Sequence, residues 1–230
     1  MTRVKMFACC AVAVVAAMGT QAQATAADVD VGPSSAPWIG FMNVLELPAN
    51  GGAFVFGSGW GVPDLVATFD DPGNTVTLSP NTVGDPDPFW YIGGGAPGNP
   101  GNKIMEANMF IEETGPLAGQ TVNFSYDVLA NTSTAAHVGI SFIRDFAPDF
   151  SSFVESSAPL TVGAGTVSLA TINDPLRHVQ YGFQLKGENV WVTDTAPFGS
   201  IVIGTIPEPG TMVLAGLGLI GIFGARRRRA

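Results

Sequence analysis

The sequence predicts an all-β protein, a single jelly-roll-like β-sandwich flanked by an N-terminal signal peptide and a C-terminal transmembrane helix over residues 211–225. Three observations predict it. Apolar and polar residues alternate with period two over runs of seven or more residues. No stretch keeps a helical period for a dozen residues, and Gly, Pro, Asn and Asp punctuate the chain between the runs. With 46% hydrophobic and only 13% charged residues among 230, the chain can bury enough apolar surface to offset its conformational entropy. That length suits one domain plus tails.

The N-terminus has the three parts of a secretory signal over residues 1–24. Arg3 and Lys5 are basic, Met6 to Met18 are apolar, and Ala22-Gln23-Ala24 offers a small-residue cleavage site, with Ala24-Thr25-Ala26 as a second option. Thirteen apolar residues are too few to cross a bilayer, which takes about 20. Both cysteines, Cys9 and Cys10, leave with the signal, so the exported domain must rest on its core without disulfides.

Residues 25–37, rich in Ala, Pro and Ser, read as a linker, and residues 38–206 as the sandwich. The clearest half-buried strands are Met105–Ile111, Val122–Val128 and Val179–Leu185, each alternating apolar and polar side chains. Further strands are predicted at Trp38–Leu47, Ala53–Phe56, Leu65–Phe69, Thr75–Ser79, Phe89–Ile92, His137–Phe146, Thr166–Ile172, Val190–Thr193 and Ser200–Ile203. About twelve strands with turns between them make a sandwich. The glycine-rich segment Gly93–Asn102 reads as a long loop within it.

The C-terminus, residues 207–230, has its own composition. Pro207-Glu208-Pro209 precedes an apolar stretch, Thr211 to Ala225, and the cluster Arg226, Arg227, Arg228, Arg229 follows. Fifteen helical residues would reach about 22 Å, short of a roughly 30 Å hydrocarbon core. Such a span crosses only with local thinning and snorkelling arginines, and the basic end stays cytoplasmic. The prolines stop helix from running back into the domain. The three parts in this order resemble the PEP-CTERM sorting signal of Gram-negative bacteria. That resemblance implies recognition by the membrane protease-transpeptidase exosortase, transit through the inner membrane, and release or attachment at the cell surface or extracellular matrix, often beside extracellular polysaccharide. An unprocessed tail anchor is the alternative.

Six of the ten basic residues lie in the two tails. Between Asp28 and Ile206 four bases (Lys103, Arg144, Arg177, Lys186) face eighteen acids, a net charge of −14. A domain this acidic is repelled by nucleic acid and by anionic lipid. Divalent cations and neutral glycans suit it better. Solubility outside the cell would by itself explain the charge.

Several motifs fall short of a chemistry. Gly93-Gly94-Gly95-Ala96-Pro97-Gly98 satisfies G-x-G-x-x-G, but Pro97 and Pro100 prevent the helix a dinucleotide site needs. The exported chain has two histidines, His137 and His178, no cysteine and no G-x-S-x-G turn, so no zinc site, no serine triad and no enzyme is predicted. Eighteen acids leave a glycosidase carboxylate pair open, because distance decides that chemistry. No cofactor is expected. Calcium is a softer reading, from the oxygen-rich turns Asp70-Asp71-Pro72-Gly73-Asn74 and Asp85-Pro86-Asp87-Pro88, whose residues are equally ordinary turn formers.

The best ligand clue in the sequence is aromatic: Trp60 between glycines, Trp90 and Tyr91 beside the glycine loop, and Trp191. Sugar rings stack their C–H faces on such side chains, although core packing is the commoner fate of a tryptophan. The stretch Leu117–Val128 and the closing Gly199–Ile203 resemble jelly-roll carbohydrate-binding modules. The acidic residue which that family carries in its last strand is missing here, which counts against a calcium site carried over from it. The same segment also resembles the uncharacterised domains that precede PEP-CTERM tails. The expectation is therefore an exported, surface-sorted, non-enzymatic structural or adhesive protein associated with envelope or extracellular polysaccharide. Its partners would be the export machinery, exosortase, the membrane before processing, and polysaccharide. The alternative is a glycan-binding module acting through Trp60, Trp90, Tyr91 and Trp191.

Overall fold

A computed structural model describes residues 25–206. The predicted signal peptide and the whole segment from Pro207, with the Pro-Glu-Pro motif, the apolar stretch and the arginine cluster, lie outside the described residues.

The described residues form twelve strands: β1 (Ala26–Asp30), β2 (Ile39–Glu46), β3 (Phe54–Trp60), β4 (Ala67–Asp70), β5 (Thr75–Leu78), β6 (Lys103–Thr114), β7 (Thr121–Asn131), β8 (His137–Phe146), β9 (Phe153–Pro159), β10 (Gly163–Ala170), β11 (His178–Glu188) and β12 (Ile201–Gly204). They form two six-stranded sheets, a β-sandwich. One sheet runs β3-β2-β6-β11-β8-β9, entirely antiparallel. In the other, β7 pairs with β10 along one edge. Along its opposite edge β7 pairs first with β1 over Thr121–Ser125 and then with β12 over Asp127–Asn131. Beyond β12 lie β5 and β4.

The period-two pattern does what it predicts. Val122, Phe124, Tyr126 and Val128 of β7 face Met105, Met109 and Ile111 of β6 and Val179, Tyr181, Phe183 and Leu185 of β11, all buried in one core. Phe124 sits at its centre, with ring centroids 5.5 Å from Tyr181 and 5.2 Å from Phe183. Offset and tilted ring pairs of this kind add to the area term. One buried ion pair fastens the β10–β11 loop to β8. Arg177 donates from Nε to Asp145 Oδ1 at 2.7 Å and from Nη2 to the Asp145 carbonyl at 2.7 Å, and the Ile172 N–H donates to Asp145 Oδ2.

Four local expectations change. The stretch 25–37, read as linker, contains β1: Ala27 and Val29 turn onto the core, and Asp28 accepts a hydrogen bond from Asn123, so alanine-rich sequence here fills an open edge of β7. Phe89–Ile92 is a folded turn, not a strand. The Phe89 and Trp90 N–H groups both donate to Asp87, and only Tyr91 bridges to Gly101. Val190–Thr193 makes one bridge, Val190 to Thr82, and then turns. Both segments are apolar because they cover the end of the core as loops. In exchange, β9 (Phe153–Pro159) is a strand that its Ser-rich sequence did not announce.

Candidate functional site

A strand in a two-layer sandwich has one side chain in two pointing away from the core. On the β2-β6-β11-β8 sheet those outward residues are unusually large and apolar. The register aligns them into rows that cross the strands. One row is Phe41, Asn108, Gln184 and Ile140 on β2, β6, β11 and β8. The next is Ile39, Phe110, Gly182 and Phe142. The third is Glu112, Gln180, Arg144 and Glu155, reaching β9. All of these but Gly182 and Phe142, which lie beneath, line a groove of about 850 Å³ on the outer face.

The middle row makes the floor. Phe110 and Phe142 are buried although they lie on the solvent side of the sheet, with ring centroids 6.5 Å apart. Between them in register stands Gly182, where an added Cβ would come within 2.1 Å of the Met109 carbonyl oxygen, so the strands can approach only with glycine there.

The two flanking rows carry the polar side chains, and each of these is held by another. Asn108 Oδ1 accepts from Arg144 Nη1 at 2.8 Å and from Gln184 Nε2 at 2.9 Å. Asn108 Nδ2 donates to the Phe41 and Glu106 carbonyls. Arg144 donates from Nε to Glu155 and spreads over the Phe142 ring, 3.9 Å from its centroid. Gln180 donates to Glu112 at 2.7 Å, and Lys186 to Glu106 at 2.6 Å. Cross-linked in this way, the amides are fixed in direction before any ligand arrives, which lowers the entropy cost of binding.

Exposed rings stand at both rims. Ile39 and Phe41 on β2 are about two-fifths exposed. Opposite them the β8–β9 turn carries Phe150, which lies nearly parallel over His178 with centroids 4.3 Å apart and packs against Phe146. Phe150 has φ of 57°, a conformation that costs a bulky residue of the order of 1–3 kcal/mol. The turn is braced by Asp149, which accepts from the Ser151 N–H and hydroxyl; those bonds hold the Asp149 carboxyl below its ordinary value. Phe153 completes this rim.

The aromatics singled out from the sequence lie elsewhere. Tyr91 is fully buried, and its hydroxyl donates to the Val83 carbonyl and lies against that of Val190, so it offers no face to a ligand. Trp90 packs edge-on against Phe56 and Phe89. Trp191 stacks edge-on with Tyr91 and fits against Gly95, where an added Cβ would meet its ring at 2.4 Å. Trp60 is half-buried, donates to Ser58, and lines a separate polar depression with Asp64 and Thr82. The structure does not bring these four rings into the groove.

The carboxylates of the oxygen-rich turns already accept hydrogen bonds within the protein. Asp71 accepts from the Ser34 N–H and hydroxyl, which lower its pKa; Asp85 and Asp87 each accept from an N–H two residues on. Among the described residues no three His, Cys, Asp or Glu side chains gather as a metal would require. Inside the sandwich, burial pushes the His137 imidazole below its ordinary 6.5 and raises the Glu188 carboxyl.

Fold and groove together define a β-sandwich with one open, chemically furnished sheet face. A scan against protein families finds the PEP-CTERM protein-sorting motif at residues 205–229. That motif is an exosortase recognition signal, and it implies an exported surface protein that passes through the membrane. Neither a curated protein nor a solved structure matches the chain.

Proposed function

We propose that the mature protein is a non-catalytic component of the bacterial surface that holds extracellular polysaccharide through the outer face of the β2-β6-β11-β8 sheet. The observation that carries this reading is the groove's composition: exposed rings at both rims, an apolar floor, and side-chain amides fixed between them. Sugars need this pairing, since their ring faces are apolar while their hydroxyls need donors and acceptors together. The sorting motif supports the setting, because it delivers the domain to where such polymers are. Eight of the eleven connections cross between the sheets, which supports reading the sandwich as a jelly roll.

Binding is favoured over hydrolysis because each carboxylate of the groove is engaged by a donor of the same sheet: Glu106 by Lys186, Glu112 by Gln180 and Glu155 by Arg144. The reading is tested by retention of the intact, detergent-solubilised chain on immobilised polysaccharide. Asn108→Ala, which removes the shared acceptor of Arg144 and Gln184, is expected to weaken retention about tenfold or more. Retention equal to that of the unaltered protein would remove the groove from the account.

A further inference from the structure

We infer that the groove selects uncharged polysaccharide chains and rejects uronate-bearing or sulfated ones. This rests on the polysaccharide reading above and goes on to name the ligand's chemical class. Acidic glycans are ordinarily gripped by free arginine and lysine, whose forked or point charges meet carboxylate and sulfate. Here each of the four cations of the described residues already holds a carboxylate. Lys103 holds Glu46, Arg144 holds Glu155, Arg177 holds Asp145 and Lys186 holds Glu106.

Within the groove, three carboxylates (Glu106, Glu112, Glu155) stand beside one guanidinium that is itself engaged. His178, at the end of the groove, faces Glu112 at 3.2 Å and Thr114 at 2.8 Å. The surrounding domain adds its net charge of −14. A polyanion approaching this face meets repulsion on a scale of about 8 Å at physiological salt, with no unengaged lysine or arginine among the described residues to offset it.

An uncharged chain meets none of this, and what the groove presents to it is complementary. Gln180 and Gln184 occupy the flanking rows, each giving one N–H to a neighbour and keeping its amide oxygen and second N–H, so that each both donates and accepts, as a hydroxyl does. Asn108, whose amide is filled, holds Arg144 and Gln184 in place. The groove crosses β2, β6, β11, β8 and β9, so at about 4.8 Å between neighbouring strands it is roughly 19 Å wide. That span accommodates several consecutive sugar rings lying across the strands, with the rims of Phe41 and Phe150 at either end.

The test is mobility of the intact chain in detergent-containing native gels cast with mannan, hydroxyethyl cellulose, alginate or polygalacturonate. The expected result is retardation by a neutral polymer and none by the two uronate polymers, with retardation unchanged between low and high salt. Phe150→Asn, which keeps the left-handed backbone but removes the ring, should weaken that retardation several-fold. Glu155→Gln, which frees Arg144, should introduce alginate retardation that salt abolishes. Stronger retardation by alginate than by either neutral polymer, persisting when Arg226, Arg227, Arg228 and Arg229 are all replaced by glutamine, would overturn the inference while leaving polysaccharide binding intact. Absence of retardation by all four polymers would overturn both.

Discussion

The two outer faces of this sandwich obey the same alternation and carry opposite chemistries. On the β10-β7-β12-β5-β4 sheet most outward residues are small and polar, Asn123, Ser125, Thr166, Ser168, Thr77 and Thr68, joined by short ladders such as Ser168 to Asn123 and Asn123 to Asp28, with Leu129 and Val202 the apolar exceptions. Asp28, Asp30, Asp70 and Asp127 also face outward there, with no lysine or arginine among them. On the opposite sheet the outward residues are rings, long amides and paired charges. A face that only needs to be wet uses short polar side chains. A face that pays the solubility cost of exposed phenylalanines is built to be covered, and a groove with several exposed rings is the kind of patch that marks a binding site.

The largest effects should fall on both faces at once, because the core is shared. Phe183→Ala removes a fully buried ring between Phe124 and Tyr126 and should cost about 3–5 kcal/mol in denaturant unfolding. Asp145→Ala should cost a similar amount, about 3–5 kcal/mol, by leaving Arg177 buried without its partner. Should either prove neutral, the sandwich would not depend on this core.

Smaller effects should separate the faces. On the polar sheet, Ser125→Ala and Thr166→Ala lose one exposed hydrogen bond and should change stability by no more than about 0.5 kcal/mol, with polysaccharide retention unaltered. Loss of retention in these variants would shift the binding surface to the other sheet. Trp60→Ala is a companion experiment: retention should stay within a factor of two, since its ring lies outside the groove.

The smallest expected effect is on pH dependence. His137 is buried with Nε2 against the Glu188 carbonyl and Nδ1 without a partner, and its folded pKa lies below 6.5. Below 6.5 the unfolded chain therefore binds a proton that the folded one refuses. Stability should fall as pH drops from 7 through 6.5 toward the folded value. His137→Gln should flatten the thermal melting temperature across that interval. A slope that survives the substitution would assign it to other groups. Glu188, raised by burial, works in the opposite sense from 4.5 upward, so Glu188→Gln should raise stability at neutral pH.

The sequence made the sandwich legible wherever a strand was half-buried. β7 alternates cleanly because one face meets the core and the other meets solvent, and the apolar phases of β6 and β11 mark the same core although their outer faces are also covered. It misled where apolar residues served loops. Phe89–Ile92 and Val190–Thr193 look like strands, yet Tyr91 and Val190 are buried by packing a turn against the sandwich. β1 was hidden because alanines at the rim of a sheet look like a linker, and β9 because Ser156 and Ser157 dilute its pattern.

The groove was not legible because it is a property of register. Phe41, Asn108, Gln184 and Ile140 are neighbours only once four strands have been ordered, and no spacing along the chain announces that order. One signal was available: Phe110 falls on the polar phase of β6, between Asn108 and Glu112, where a solvated face would have Ser or Thr. The tryptophans drew attention instead, and their size is used mainly for packing. The sorting segment is the reverse case, recognisable from residue order alone.

The most direct measurement of the central claim is hydroxyl-radical footprinting of the intact chain with and without a retained neutral polysaccharide. The account predicts protection of Phe41, Phe150 and Phe153, with the outer side chains of the β10-β7-β12-β5 sheet and Trp60 oxidised as before. Protection centred on Trp60 or on the polar sheet, with Phe41 and Phe150 unchanged, would contradict it.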